Sequence, residues 1–151
     1  MNKIIISDTS CLIVLSKINK LSLLKELFQE VLITEEVKTE YGGPLPNWII
    51  ICSVKDKNKQ VDLEEKLDVG EASSIALAIE KENSTLIIDE NKGRKIAQLL
   101  NLDIIGTIGI IVMANKRGIL NDVIGTVLKL VNNGFRLSDK IIDMILEKYK
   151  K

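Results

Sequence analysis

The sequence predicts an α/β fold in three layers, with helices on both faces of a central, mainly parallel sheet. Three observations lead there. Short runs that are apolar at every position recur at Ile4-Ile5-Ile6, Val31-Leu32-Ile33, Leu86-Ile87-Ile88 and Ile104-Ile105, which is the pattern of strands buried on both faces. Stretches with helical apolar spacing lie between them, and strand–helix alternation is what a parallel sheet needs for its crossovers. Hydrophobic residues make up 46% of the chain but aromatic residues only 3%, so aliphatic side chains must fill the core.

The elements follow in order. Residues 3–7 form the first strand. Residues 10–15 and 21–28 form two helices that part near Asn19. After the strand at 31–33, Thr34 is an N-cap, with Glu35 and Glu36 in the first turn where the helix dipole favours them. That helix stops at Gly42-Gly43-Pro44. Residues 48–54 read as a strand at the sheet edge or in an arm, and 55–60 as a charged loop. Asp68 starts the clearest helix, with Ala72, Ile75, Ala76 and Ile79 on one face. A strand at 86–88, a helix at 93–100 with Ile96, Leu99 and Leu100 inward, and a strand at 104–105 come next. Three helical patterns close the chain, at 108–116, 121–132 and 139–149. In the last of these the stripe Ile141, Ile142, Ile145, Leu146, Tyr149 reads as core-facing. At 151 residues the chain suits a single domain spanning 1–151.

The most informative residue is Asp8. It closes the first apolar run and opens into Thr9-Ser10, and Asp89 repeats that grammar ahead of Glu90-Asn91. In open α/β sheets ligands bind beyond the carboxyl ends of the strands, so two carboxylates reach that edge. Glu40 and Glu71 are placed to join them. Each acid also has a purely structural explanation: Asp8 and Asp89 as N-caps, Glu71 as the partner of Asp68 in a capping box, Glu40 as a solvated helix residue. Four carboxylates crowded together repel one another, and a divalent cation removes that conflict. Oxygen donors without histidine or paired cysteine select Mg²⁺ or Mn²⁺ over zinc, and phosphodiester hydrolysis is the chemistry that most needs such an ion.

Composition excludes other classes. The chain contains no histidine, which rules out a serine–histidine–aspartate triad. A phospho-aspartate site of the haloacid-dehalogenase type wants a second aspartate where Ser10 stands, and a receiver domain wants an acidic pair where only Asp8 is found. Cys11 and Cys52 have no paired spacing and read as small buried hydrophobes. Lysine plus arginine equal aspartate plus glutamate, 21 against 21, so net charge does not advertise nucleic-acid binding. No apolar run is long enough for a signal peptide or a membrane span, which points to a cytoplasmic protein.

Several segments in this order and spacing resemble the PIN-domain family. They are Ile5-Ile6-Ser7-Asp8-Thr9-Ser10, residues 37–40, Asp68-Val69-Gly70-Glu71-Ala72, Leu86-Ile87-Ile88-Asp89-Glu90-Asn91-Lys92-Gly93-Arg94 and Ile105-Gly106-Thr107-Ile108-Gly109. The Gly-Glu-Ala and Gly-Thr elements, with a late Gly134-Phe135-Arg136-Leu137-Ser138, resemble a poorly characterised subgroup. The resemblance implies a PIN-like fold and a Mg²⁺- or Mn²⁺-dependent endoribonuclease, the toxin of a toxin–antitoxin pair. By position it implies Asp8, Glu40, Glu71 and Asp89 as the catalytic acids, with Asp8, Asp89 and Glu71 on the metal. It further implies Thr9, Ser10, Asn91, Lys92, Arg94 and Thr107 as substrate contacts. RNA is the implied substrate, a small antitoxin protein the implied partner, and a homodimer the commonly implied assembly. Many active members carry a further acid shortly after Asp89, and this chain offers Glu90 and Asn91 there. The competing reading is a non-catalytic PIN-like module that binds nucleic acid or protein.

Lys92, Arg94 and Lys95 follow Asp89 directly and read either as phosphate contacts or as a solvated helix face.

Overall fold

The computed structural model describes residues 3–150. Among these, the elements in chain order are β1 (Ile4–Ser7), α1 (Thr9–Lys17), α2 (Ser22–Phe28), β2 (Val31–Thr34), α3 (Glu35–Tyr41), β3 (Ile49–Cys52), α4 (Lys57–Glu64) and α5 (Val69–Glu80). They continue with β4 (Ser84–Ile87), α6 (Asn91–Leu99), β5 (Asp103–Ile105), α7 (Thr107–Lys116), α8 (Val123–Asn132) and α9 (Asp139–Tyr149). The strands form one sheet in the order β3-β2-β1-β4-β5, and every neighbouring pair is parallel.

Parallel strands expose alternate side chains to opposite faces, and both faces must then be covered. Ile5 and Ile87 point into a core made with Leu12, Leu15, Leu24, Ile110, Val127 and Leu130 of α1, α2, α7 and α8. Ile6, Leu86 and Ile88 point the other way, onto Leu63, Ile75, Leu77 and Ala97 of α4, α5 and α6. The layers are therefore helix, sheet, helix. The chain winds outward from β1 to β3, returns through α4 and α5 on the other face, and winds outward again through β4 and β5. The order reverses between β1 and β4. These two strands pair in register from Ile4 opposite Ser84 to Ser7 opposite Ile87, so Asp8 and Asp89 both emerge at the switch point, where open α/β sheets form their crevice.

The structure differs from several local expectations. Residues 55–60 are not a loop throughout, because Asp56 caps α4 by accepting from the Lys59 N–H at 3.1 Å. That helix packs on α5 and explains why α5 is buried on more than one side. Leu77 and Ala78 are inside with Ala72, Ile75 and Ala76, while Ile79 is exposed. β4 begins two residues early, at Ser84. In α6, Leu99 points to solvent at 82% exposure, and Ala97 takes the buried position. The α9 stripe is also divided: Ile145 is buried, whereas Ile141 and Leu146 are exposed. Cys11 is buried and Cys52 only partly so.

Candidate active site

Asp8 is the most enclosed acid at the switch point. Its backbone N–H donates to the Ile87 carbonyl at 3.1 Å, continuing the strand pairing by one residue. Asp8 occupies the N-cap position of α1, yet its side chain makes no capping hydrogen bond. The residue is 2% exposed, and Asp8 Oδ1 has no hydrogen-bond partner. The neighbouring Thr9 Oγ1 is likewise buried and unpartnered. Burial, then the charge of Asp89, hold the Asp8 carboxyl well above the usual carboxylate range; Glu71 and Asp68 add to this, and the Cys11 backbone N–H offsets part of it. A buried carboxylate oxygen without a donor is unfavourable on its own, so capping alone does not account for Asp8.

Asp89 is held differently. The Thr107 backbone N–H donates to Asp89 Oδ1 at 2.7 Å, and the Thr107 hydroxyl donates to Oδ2 at 2.6 Å. Gly106 makes this approach possible, since a Cβ there would lie 2.9 Å from Asp89 Oδ1 and 3.0 Å from Arg94 Nη1. Arg94 Nη1 donates to the Ile88 carbonyl at 2.8 Å.

The helix-borne acids arrive from α3 and α5. Asp68 caps α5 by accepting from the Glu71 N–H at 2.8 Å, as the capping-box spacing predicts. Burial, Asp68 and Glu90 together raise the pKa of Glu71 from its ordinary 4.5 to about 7. Two helices are joined behind the site by a chain of hydroxyls. The Val37 N–H donates to Thr34 Oγ1 at 3.1 Å, Thr34 and Ser73 share a 2.7 Å bond, and Ser73 donates to the Gly70 carbonyl at 3.0 Å. This fixes α3, which carries Glu40, against α5, which carries Glu71. Gly70 opens the gap between them, because a Cβ there would lie 2.7 Å from Glu40 Oε1 and 3.1 Å from Thr9 Oγ1.

Asp8, Thr9, Ser10, Glu40, Asp68 and Glu71 thus line one cavity of about 160 Å³. Asp89 borders it from a larger groove that also takes in Ser10 and Asn91. Of the remaining positions singled out in the sequence, Asn91, Lys92 and Lys95 are exposed on α6. Thr107 is fully buried, so as placed it holds Asp89 and does not face a substrate. Arg94 is part-buried on the Ile88 carbonyl, just past β4, and is not a free cation on a helix face. Asp68 is more than the cap that its sequence position suggests: its charge acts on both Asp8 and Glu71, and its three-residue spacing from Glu71 is the signal in the sequence. Glu90 caps α6 through the Lys92 N–H at 3.2 Å and also acts on Glu71.

A family model described as PIN domain matches residues 4–151. The chain belongs to the PIN-domain family. That family has a nuclease fold and typically uses divalent metals. No curated protein matches the sequence. In this PIN domain the donor chemistry fits a hard cation: the acids offer only oxygen, Asp8 Oδ1 and Thr9 Oγ1 lack partners, and the carboxylates raise one another's proton affinity. The arrangement is not a closed cage, for among the described residues no three acidic or cysteine side chains stand together at ligand spacing. Among the described residues, too, no helix is long and apolar enough to cross a membrane.

Proposed function

We propose that residues 1–151 act as one cytoplasmic endoribonuclease unit that uses Mg²⁺ or Mn²⁺, and that it is the toxin of a toxin–antitoxin pair. The observation that carries this reading is Asp8, buried with an unpartnered Oδ1 among Asp89, Glu71 and Asp68. Asp8, Asp89 and Glu71 would hold the ion, in part through bound water since the three do not stand at direct ligand spacing, with Glu40 completing the pocket directly or through water. When bound, the ion supplies Lewis-acid polarisation of a phosphate oxygen and acidifies water.

The chain's own residues divide the remaining work. Thr107 holds both oxygens of Asp89 so that the carboxylate keeps one orientation. Burial of Asp8, at 2% exposure, keeps water from one side of the site and strengthens the charge interactions there. Without the ion, burial and the neighbouring acids raise Glu71 to about 7; a bound cation would favour its carboxylate form again, so Glu71 would hold the ion as a charged ligand. Thr9, Ser10 and Asn91 would contact the strand beside the acids. A small antitoxin and a second copy of the chain are the protein partners that family membership suggests.

The test is cleavage of a mixed RNA substrate by the purified protein with Mn²⁺, with Mg²⁺ and with EDTA. Metal-dependent cleavage suppressed by EDTA supports the reading. If no RNA or single-stranded DNA is cut under any of these conditions, the chain is a PIN-like binding module instead.

A further inference from the structure

A larger groove, of about 900 Å³, leaves the acidic edge. It shares Ser10 and Ile13 with the acidic cavity. From Asp89 it follows α1 to the segment that joins α8 to α9, where Phe135 and Arg136 line it. Its charge is divided. Carboxylates stand at the Asp89 end, while Lys17 and Arg136 supply cations elsewhere along it. Lys17 ends α1, about 12 Å from Thr9 at the usual helical rise. Neither Lys17 nor Arg136 makes an ion pair among the described residues. Phe135 is half-buried, packed on the core on one side and lining the groove on the other. Its backbone N–H donates to the Leu130 carbonyl at 3.0 Å, just after Gly134 at φ +95°. The turn therefore fixes the Phe135 backbone beside the groove.

An aromatic ring and uncommitted cations along a groove form the arrangement that binds single strands, with bases stacking on the ring and phosphates meeting the cations. A duplex keeps its bases stacked inside and cannot use the ring. We infer that this groove is the path of a single-stranded RNA whose reacting phosphate lies at the acidic edge. Phe135 stacks on a flanking base, and Lys17 and Arg136 contact backbone phosphates. The inference rests on the nuclease reading and adds to it the course the strand takes and the residues outside the acidic edge that hold it.

The test uses the full chain carrying Asp8→Asn, which under the nuclease reading binds without cutting. Anisotropy of a labelled single-stranded RNA, and of its duplex, is followed across a salt series. Lys17→Ala and Arg136→Ala should each reduce the slope of log affinity against log salt by about 0.7, the value for one phosphate contact on a single strand. Phe135→Leu keeps an apolar anchor; it should weaken single-strand binding about tenfold, leave the salt slope unchanged, and spare duplex binding. Arg136 is exposed, so its replacement does not threaten folding. If wild type cleaves RNA while all three variants bind it as the background does, the groove is not the strand path and the nuclease reading stands. If the background binds no RNA and wild type cuts none, both fall together.

Discussion

Thr107 grips Asp89 at both carboxylate oxygens, with its backbone N–H at 2.7 Å on Oδ1 and its hydroxyl at 2.6 Å on Oδ2. A residue at the start of α7 thus sets the orientation of an acid at the end of β4. The buried Cys11 thiol of α1 lies beside the same pair: burial first, then the charge of Asp89, push it up, and Thr107 offsets part of this. The Asp89–Thr107 pair therefore stands next to the helix that follows Asp8.

Thr107→Val removes the hydroxyl and keeps both the shape and the backbone N–H. The lost hydrogen bond, made to a carboxylate, should cost about 1.5–3 kcal/mol of stability. Cleavage should fall at least about tenfold, a barrier change of about 1.4 kcal/mol, and Thr107→Ser should restore it. Turnover and melting temperature measured on all three proteins check this. Equal turnover in the valine variant would show that the Asp89 orientation is not limiting.

Gly70→Ala separates the site from the fold. Alanine is favoured over glycine in a helix by up to about 1 kcal/mol. The atom it would displace is the end of the exposed Glu40 side chain, 2.7 Å from the new Cβ. The variant should melt at or above the wild-type temperature and yet cleave more slowly, because Glu40 and Thr9 are pushed apart. Unchanged cleavage would place Glu40 outside the reaction.

The fold was legible because buried parallel strands leave short, wholly apolar runs, and β1, β2 and the core of β4 stand where those runs lie. That β3 is a strand was legible from the same kind of run, whereas its place at the sheet edge and not in an arm depends on its pairing with β2. α4 was not, because its sequence carries so many charges that it lacks a helical apolar stripe, and only its packing on α5 makes it a helix. The convergence of Asp8, Glu40 and Glu71 on one cavity was suggested by strand ends and helix turns. The roles of Asp68 and Thr107 were hidden for a different reason. A capping aspartate and a first-turn threonine look the same in sequence whether or not a second carboxylate stands beside them.

The metal-free protein should lose stability as pH rises. The folded pKa of Glu71, about 7 against an ordinary 4.5, means the folded state holds its proton more tightly than the unfolded chain. The contribution is complete below about pH 4.5 and is lost as pH climbs through about 7. Asp8 is shifted in the same direction. In EDTA, the melting temperature of wild type relative to Glu71→Gln should therefore decline between about pH 4.5 and 7, glutamine serving at the same capping position. A flat difference across that window would remove the crowding of charge that motivates a cation.

The most direct measurement is made on Asp8→Asn, which removes a full charge at nearly constant shape. Melting temperature is followed against Mg²⁺ and Mn²⁺ concentration, and cleavage of mixed RNA with Mn²⁺ is assayed on the same samples. A cation that binds only the folded form raises the melting temperature, so wild type should be stabilised by the metals. The folded variant should be at least as stable as wild type in EDTA, respond weakly to metal, and cleave slower by orders of magnitude. A folded Asp8→Asn protein that gains as much stability from Mn²⁺ and cuts RNA as fast as wild type would contradict the account.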